Sequence, residues 1–599
     1  MQFTANGHAL RFESDGLYIA SGDHMLHVGF VGADGTMPEA AGVKSKEGKT
    51  APLIQVNYAN LWPGINLRYE AADGSIARST WEVSPGADTN QILLRYNAPL
   101  EIAADGSLKI QYETGWMRES APIAWQEIEG HRHPVAVAFR LLKSAEGEPV
   151  IGFEVGQYSS AHSLLIDPTL EWNTFMSTTG RAIAVDGSGN VYVVGESGDT
   201  WGTPVDPHMG SIDGGSDVFV AKLDSNGERL WHTFMGGTLP YDYGNGIAVD
   251  DNGNVYVAGS SRGTWGTPVN AHADGYSDDA FAAKLETNGT RVWNTFLGGP
   301  ASGYDIVVDG SGNVYVAGAG ANWGTPVNAH AGGSDAFVVK LNSNGTRVWN
   351  TFMGSSNHER GYGIALDGSG NVYVAGISDG TWGTPVNAHA DGYSDDAFAA
   401  KLDTNGTRLW NTFMGSSDFD IGRAIALDGG GNVYVAGDSN ITWGTPVNAH
   451  TGGYSDAFVA KLNSNGTCVW NTFMGSTDYD FGSAIAVSGS GNVYVAGYNG
   501  TYVPRYGIWA DDAFVTKLSS NGTRVWNTFM GSSDYDIGNG IAVDDSGNVF
   551  VAGESRATWG TPVDAHTGGS DAFVAKLRDA GCEFFIIQTG EGKSFAVCL

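Results

Sequence analysis

The stretch "DAFVVKLNSNGTRVWNTFMG", residues 335–354, decides the fold. It reads as two apolar strands rich in Val, Phe and Trp, as β-propensity favours. Between them lies Asn-Gly, the preferred two-residue hairpin turn, whose central positions both need φ > 0. The same phrase returns along the chain. Variants of "DAFVAKL" start at Asp217, Asp279, Asp335, Asp396, Asp456, Asp512 and Asp571. "W-N-T-F" or a variant starts at Trp172, Trp231, Trp293, Trp349, Trp410, Trp470 and Trp526. Upstream of each "DAFVAKL" stand "IAVD" and "NVYV" phrases, so each unit carries four short strands.

Seven units spaced 56 to 64 residues apart predict an all-β chain, a seven-bladed propeller of four-stranded antiparallel blades. A linear solenoid is the other arrangement such units allow. The count has an offset that favours a ring. The last unit ends after Asp571 without its fourth strand, and residues 170–176, "LEWNTFM", supply that phrase before the first complete unit. A strand from one end of the repeats would complete the last blade and remove an exposed sheet edge.

The units resemble the SBBP-type β-propeller repeat, with its "GNVYVAG…SDAFVAKL…W-TF-GG" pattern. Residues 51–168 resemble the domain that precedes such propellers in bacterial and archaeal surface proteins, through "WPGINLRYE", "WEVSPGAD", "APIAWQEIEG", "IGFEVGQY" and "LLIDPTLEW". The resemblance implies an exported or cell-surface protein, and it implies no enzyme activity. Residues 1–30 show no basic-then-apolar leader pattern, a departure from many members.

Composition agrees with a folded, turn-rich β protein: 87 Gly, only 19 Pro and 42% apolar residues. The net charge of −33, most of it on the repeats, disfavours nucleic acid and anionic membranes as partners. No apolar run reaches the length of a membrane span. The three cysteines, Cys468, Cys582 and Cys598, form no zinc-binding pattern.

Alternating apolar runs make residues 1–168 a β-rich, sandwich-like N-terminal domain. Residues 169–577 form the propeller, and 578–599 a hairpin tail. A three-residue loop at 589–591 would set Cys582 opposite Cys598, a disulfide candidate in an oxidising compartment.

Long loops on a rigid scaffold are where binding sites usually lie. The long loops between second and third strands repeat "TWGTPVNAHAGGSD", with Trp201, Trp265, Trp323, Trp382, Trp443 and Trp559, and His208, His272, His330, His389, His450 and His566. Two readings stand. The tryptophans are platforms for stacking sugars, or each packs beneath its own loop. Repetition in six units favours the second, since a ligand rarely needs six equal sites. The sixth unit departs, reading "YNGTYVPRYGIWADD" from Tyr498 to Asp512. One histidine per unit is too few to share an ion.

The crossovers between units carry the pairs Asp418/Asp420, Asp478/Asp480 and Asp534/Asp536. Oxygen-rich loops suit calcium, and turn chemistry explains the same residues. Asp217 and its equivalents read as caps between loop and strand. "N-G-T" at Asn288, Asn344, Asn405, Asn465 and Asn521 matches the glycosylation acceptor pattern, though the hairpin turn already accounts for it. No recognised catalytic motif appears. Near-identical units argue against a site built from unlike residues. The irregular units leave Glu196, Asp199, Arg505 and Asp511 as the places to look for catalysis.

The expectation is a non-enzymatic protein of the cell exterior, acting in binding or structural assembly. Glycan binding by the long-loop face and carbohydrate cleavage are the alternatives. Self-association and polysaccharide are the expected partners; no cofactor is required, and calcium is the one candidate.

Overall fold

The fourth repeat shows why these residues form these elements. In the computed structural model its strands are Glu359–Leu366, Val372–Ser378, Asp396–Leu402 and Arg408–Met414, here A to D, joined antiparallel in that order. Both faces of B and C meet neighbouring sheets, so every residue of these two strands except Lys401 is buried. This explains their unbroken apolar character. The core here is shared between sheets: Tyr315, Val338 and Met353 of the third repeat pack with Ile364, Val374, Trp382 and Phe398 of the fourth.

Seven four-stranded sheets of this kind occur among the described residues. Six use strands in chain order. The seventh has Asp536–Val543, Asn548–Ser555 and Asp571–Arg578, and its outer strand is Leu170–Met176, as the offset in the repeats predicts. The architecture is propeller-like: each A strand packs on the A strand of the next sheet, and that of the seventh on that of the first. Asn245 Nδ2 of the second sheet donates to Gly303 O of the third at 2.8 Å, and Asn539 Nδ2 of the seventh donates to Gly180 O of the first at 2.9 Å.

The described residues are all except 1, 6–7, 21–24, 34, 42–50, 53–54, 71–77, 103–107, 113–114, 120–121, 129–130, 144–148, 168–169, 210–214, 240, 274–276, 391–393, 477, 504–507, 533–534, 545–546, 560–561, 563–565, 579–583, 589–593 and 599.

The C–D turn differs from the two-residue form expected. Asp403 N donates to Thr407 O (2.8 Å) and Gly406 N to Asp403 O (3.0 Å), which leaves a three-residue loop. Only Gly406 has positive φ (+85°), and the Asp403 carboxylate accepts the Asn405 and Thr407 N–H groups. This is a type I turn with a glycine bulge, fixed by the side chain at its first position. Gly406 also meets the preceding sheet: a Cβ there would lie 2.9 Å from the Trp349 ring, whose Nε1 donates to Thr404 O at 3.2 Å.

The chain divides into two compact units, Met1–Trp172 with Leu577–Leu599, and Asn173–Lys576. In the first, an eight-stranded and a seven-stranded sheet share one core in which Phe12, Tyr58, Trp62 and Trp81 are each at most 1% exposed. This agrees with a sandwich-like arrangement. No helix among the described residues is long and apolar enough to cross a membrane.

Candidate functional site

The residues that repeat most faithfully are packed into the sheets. Trp265, Trp323, Trp382, Trp443 and Trp559 are only 4–9% exposed, and Trp201 is half-buried. In the third sheet Trp323 stands edge-on to Phe337 (5.2 Å) and Phe352 (5.7 Å), with the Arg347 guanidinium 5.5 Å over its ring. Its carbonyl accepts from Asn350 Nδ2 at 2.9 Å. The loop then turns along the outer D strand: Val327 N donates to Asn350 O (2.8 Å) and Phe352 N to Asn328 O (3.1 Å). The same two backbone bonds recur in the first, second, fourth and fifth sheets. The repeated phrase therefore lies along the sheet edge, pinned by its Trp, and blunts that edge against further pairing. Little indole surface is left for a sugar.

The histidines of the fifth and seventh sheets have a similar role. His450 Nε2 donates to Ser439 O at 3.1 Å while its Nδ1 accepts from Gly452 N at 3.0 Å; His566 does the same with Ser555 and Gly568. With both ring nitrogens engaged, neither is disposed to bind a metal. The aspartates that open the C strands are caps, as expected: Asp396 Oδ2 accepts Ala390 N, and Asp217, Asp279, Asp335, Asp456 and Asp571 take equivalent N–H groups, all at 2.6–2.7 Å.

The crossover aspartates face different surroundings. Asp420, fully buried, accepts from Ser416 N (2.6 Å) and Ser416 Oγ (2.8 Å); Asp480 and Asp536 repeat this with Ser476 and Ser532. Asp418 instead accepts from Phe419 N (2.8 Å) and Asn440 Nδ2 (3.2 Å). Asp478 is half-buried, and Asp534 lies outside the described residues. Among the described residues no group of three or more His, Cys, Asp or Glu side chains is placed to hold a metal ion.

The inner aspartate meets a second acid. A Cβ on Gly415 would sit 2.8 Å from Asp396 Oδ1 and 2.9 Å from Asp420 Oδ2, so only glycine fits between them. Asp396 Oδ1 and Asp420 Oδ1 are both buried without a donor. Burial, reinforced by Asp396, pushes Asp420 up to about 6; burial also raises Asp396 to about 6, against the pull of Ala390 N–H and His389. Asp242 is pushed by burial to about 7 at the equivalent place beside Asp217.

Where the repeats differ proves more informative. Every A strand carries a β-bulge after a glycine, at Arg181, Asn245, Tyr304, Tyr362, Arg423, Ser483 and Asn539. The bulge recurs in the same place in every A strand, while the residue at it changes between Arg, Asn, Tyr and Ser. Bulges re-aim side chains and are common beside functional sites. All seven residues are partly or fully exposed, and several meet across sheet boundaries. The Tyr304 and Tyr362 rings lie 5.1 Å apart, Arg181 stands 5.6 Å over Tyr243, and Arg423 stands 5.8 Å over Phe481. Phe481 continues to Tyr498 (4.8 Å), and Tyr479 stacks on Tyr454 (4.6 Å). The neighbouring acids are held in ion pairs, Glu196 with Arg181 and Asp438 with Arg423. Sequence reasoning passed over these residues, although the alternation Arg, Asn, Tyr, Tyr, Arg, Ser, Asn after an invariant glycine is legible.

Of the other candidates, Asp199 offers its backbone carbonyl to Ser197 Oγ at 2.9 Å. Arg505 and Cys582 lie outside the described residues, as do the side chains of Asp511 and Cys598. The tail forms a hairpin, Phe584–Gln588 with Ser594–Cys598, whose register sets Phe584 opposite Cys598.

Comparison with known proteins agrees with this architecture. Residues 175–200, 230–264 and 526–558 match the SBBP family, described as a β-propeller repeat. The repeats are SBBP β-propeller repeats. Residues 42–169 match a domain of unknown function, DUF7948. SBBP repeats thus follow a separate N-terminal domain. Among curated proteins, the chain is 24% identical over 352 residues to the regulatory protein FlaEY of Caulobacter vibrioides, covering 53% of this chain and 35% of that one. It is 23% identical over 471 residues to an uncharacterized WD repeat-containing protein of Acanthamoeba polyphaga mimivirus, covering 62% and 33%. The chain thus spans about a third of the length of these relatives. Solved structures that match the chain include a PL25 ulvan lyase (14% identity, TM-score 0.36, 64% of this chain and 92% of that one) and Sqt1 from Chaetomium thermophilum (11%, 0.36, 69% and 99%).

Proposed function

We propose that this chain is a non-enzymatic binding or structural-assembly protein of the cell exterior. Its SBBP repeats form a closed seven-bladed ring, and its ligand contacts lie at the bulges of the inner strands. The observation that carries this reading is the varied, exposed set Arg181, Asn245, Tyr304, Tyr362, Arg423, Ser483 and Asn539 at the one bulge that every inner strand carries. Selection for a uniform scaffold alone gives no reason for this exposed position to change between Arg, Asn, Tyr and Ser. The ion pairs of Glu196 and Asp438 with arginines leave neither acid free for proton transfer, which favours binding over cleavage. Ring closure is supported by the A-strand packing of the seventh sheet on the first and by the Asn539 to Gly180 bond.

A second reading, glycan binding, is favoured by the aromatic run Tyr454, Tyr479, Phe481 and Tyr498 and by the Tyr304–Tyr362 pair. Aromatic faces stack on sugars. The paired arginines and the net charge of −33 point to a neutral polysaccharide rather than an anionic one.

The test is a panel of neutral and acidic polysaccharides, run beside sedimentation of the intact protein. Binding to a neutral member, lost in the Tyr304→Ala/Tyr362→Ala variant with its melting temperature unchanged, supports the glycan reading. Concentration-dependent polymers that survive this substitution support assembly. Discrete monomers that bind no member, or measurable turnover of one, contradict the proposal.

A further inference from the structure

The third and sixth sheets have identical outer strands, "RVWNTFM", at Arg347–Met353 and Arg524–Met530. In the third, this strand receives the Trp323–Asn328 segment of its own loop. The seat consists of Arg347 over the indole, Phe337 and Phe352 at its edges, Asn350 Nδ2 on the Trp323 carbonyl, and Thr351 Oγ1 accepting from Asn328 N (3.1 Å) and Nδ2 (2.7 Å). In the sixth, every seat residue is kept: Arg524, Phe514, Phe529, Asn527 and Thr528. The segment that fills the seat is missing. The sixth loop is replaced by an extension of the hairpin, Val493–Val503 with Ile508–Leu518.

The consequences are visible along the strand. Phe352 is 1% exposed, whereas Phe529 is half-buried; Asn350 and Thr351 are buried, whereas Asn527 and Thr528 are half-exposed. Among the described residues nothing bonds to the Asn527 amide, no backbone group pairs with Asn527 O or Phe529 N, and no ring meets Phe529. Thr528 Oγ1 reaches only Phe529 O, at 3.5 Å. Arg524 is exposed, and among the described residues no indole lies beneath it.

We propose that the outer edge of the sixth sheet is a strand-docking site for an extended segment of another polypeptide. That segment carries Trp-Gly-Thr-Pro-Val-Asn or a close equivalent. The occupant's chemistry is set by the sister interface, which uses the same seven residues. Two backbone hydrogen bonds fix its direction. An indole enters between Phe514 and Phe529 beneath Arg524, where cation–π attraction and edge contacts hold it. An Asn five positions later meets Thr528. The six loops of this type in the chain each anchor their Trp to the outer strand of their own sheet, so a partner chain supplies the segment. The inference is independent of the inner-strand reading, which concerns another part of each sheet.

The test uses the full chain and a labelled synthetic peptide with the sequence of residues 322–330, NWGTPVNAH. A tethered loop enjoys an effective concentration in the millimolar range that a free peptide lacks, so titration extends to about 1 mM. The expected result is saturable one-to-one binding that slows exchange of the Phe529 amide. Replacing the peptide's Trp by Ala should weaken binding about tenfold or more, as buried aromatic anchors do. Asn527→Ala should weaken it about three- to tenfold through one lost hydrogen bond. The exchange measurement needs no variant and so stands even if Asn527→Ala misfolds. No saturation, no change in Phe529 exchange, or binding indifferent to the peptide's Trp would each overturn the proposal.

Discussion

Two copies of the same seven residues, one covered and one bare, separate what sequence specifies locally from what context adds. At Arg347–Met353 the strand is an interior element, because a loop lies along its edge and an indole is buried beside it. At Arg524–Met530 the strand lies beside a C strand that differs only in having Thr516, not Val, opposite the Asn, but it lacks the loop, and its middle residues are half-exposed. In the first five sheets the "WGTPVN" segment, or its variant, lies along the outer strand and occupies its edge. It acts there as an edge cover, and the docking proposal treats the bare sixth edge as a receptor for a cover of the same kind.

The comparison can be broken most forcefully by removing the anchor where it is present. Trp323→Ala deletes a buried ring and uncovers the third edge, and should cost about 3–5 kcal/mol in urea melts. Arg524→Ala in the bare copy should stay within about 0.5 kcal/mol, as exposed substitutions do. If Trp323→Ala costs no more than Arg524→Ala, the tryptophans are not structural.

A smaller effect sharpens the contrast one side chain at a time. Asn350→Ala leaves the Trp323 carbonyl without its donor and should destabilise by about 1–3 kcal/mol. Asn527→Ala should have almost no effect on the free protein. Equal losses would mean that Asn527 already has a partner.

The carboxyl pair offers the smallest contrast, between sheet junctions. Asp420 and Asp396 are raised by burial to about 6, above the unfolded value of about 3.9. A raised carboxyl binds its proton more tightly in the native state. Its cost to stability is therefore present above its folded pKa, falls as pH drops through that value and is gone below the unfolded one. These groups make the protein more stable near pH 5 than at pH 8. The turn carboxylates oppose this trend only at lower pH. Asp367 is pushed up by burial but lowered overall by Asn371, Ser369 and Tyr373, so its contribution disappears as pH falls through its depressed value. Asp420→Asn presents a donor toward Asp396 and should stabilise by about 1 kcal/mol at pH 8, as one hydrogen bond to a charged group allows, with little effect at pH 5. The second-to-third junction has Pro300 and Ala301 in place of a second acid and supplies the built-in control. A pH-independent effect of Asp420→Asn would remove the carboxyl pair from the account.

Much of this was legible in the sequence, for reasons that can be named. The seven sheets were legible because buried two-faced strands demand apolar runs, and the seam because Leu170–Met176 repeats a phrase out of place. The cap role of Asp396 was legible from its recurrence before every C strand. The turn type was not: Asn-Gly favours both central φ values positive, but the Asp403 carboxylate captures two N–H groups and selects another turn. The varied residues after the invariant glycine were legible as a pattern, but that they sit on a bulge was not, because a bulge leaves no local signature of its own. The bare edge was half legible. The missing "WGTPVNAH" was plain, but that Asn527 O and Phe529 N would have no backbone partner among the described residues depends on where that loop lies in the other sheets.

The most direct measurement is native-state hydrogen exchange at two amides, Phe352 and Phe529, in the free chain. Phe352 N–H donates to Asn328 O at 3.1 Å, whereas Phe529 N–H has no such acceptor among the described residues. The account predicts that Phe352 exchanges only on unfolding of its sheet and that Phe529 exchanges far faster, through local fluctuation alone. Equal protection of the two amides would mean that the sixth edge is already covered, and would contradict both the edge-cover role of the loops and the docking site.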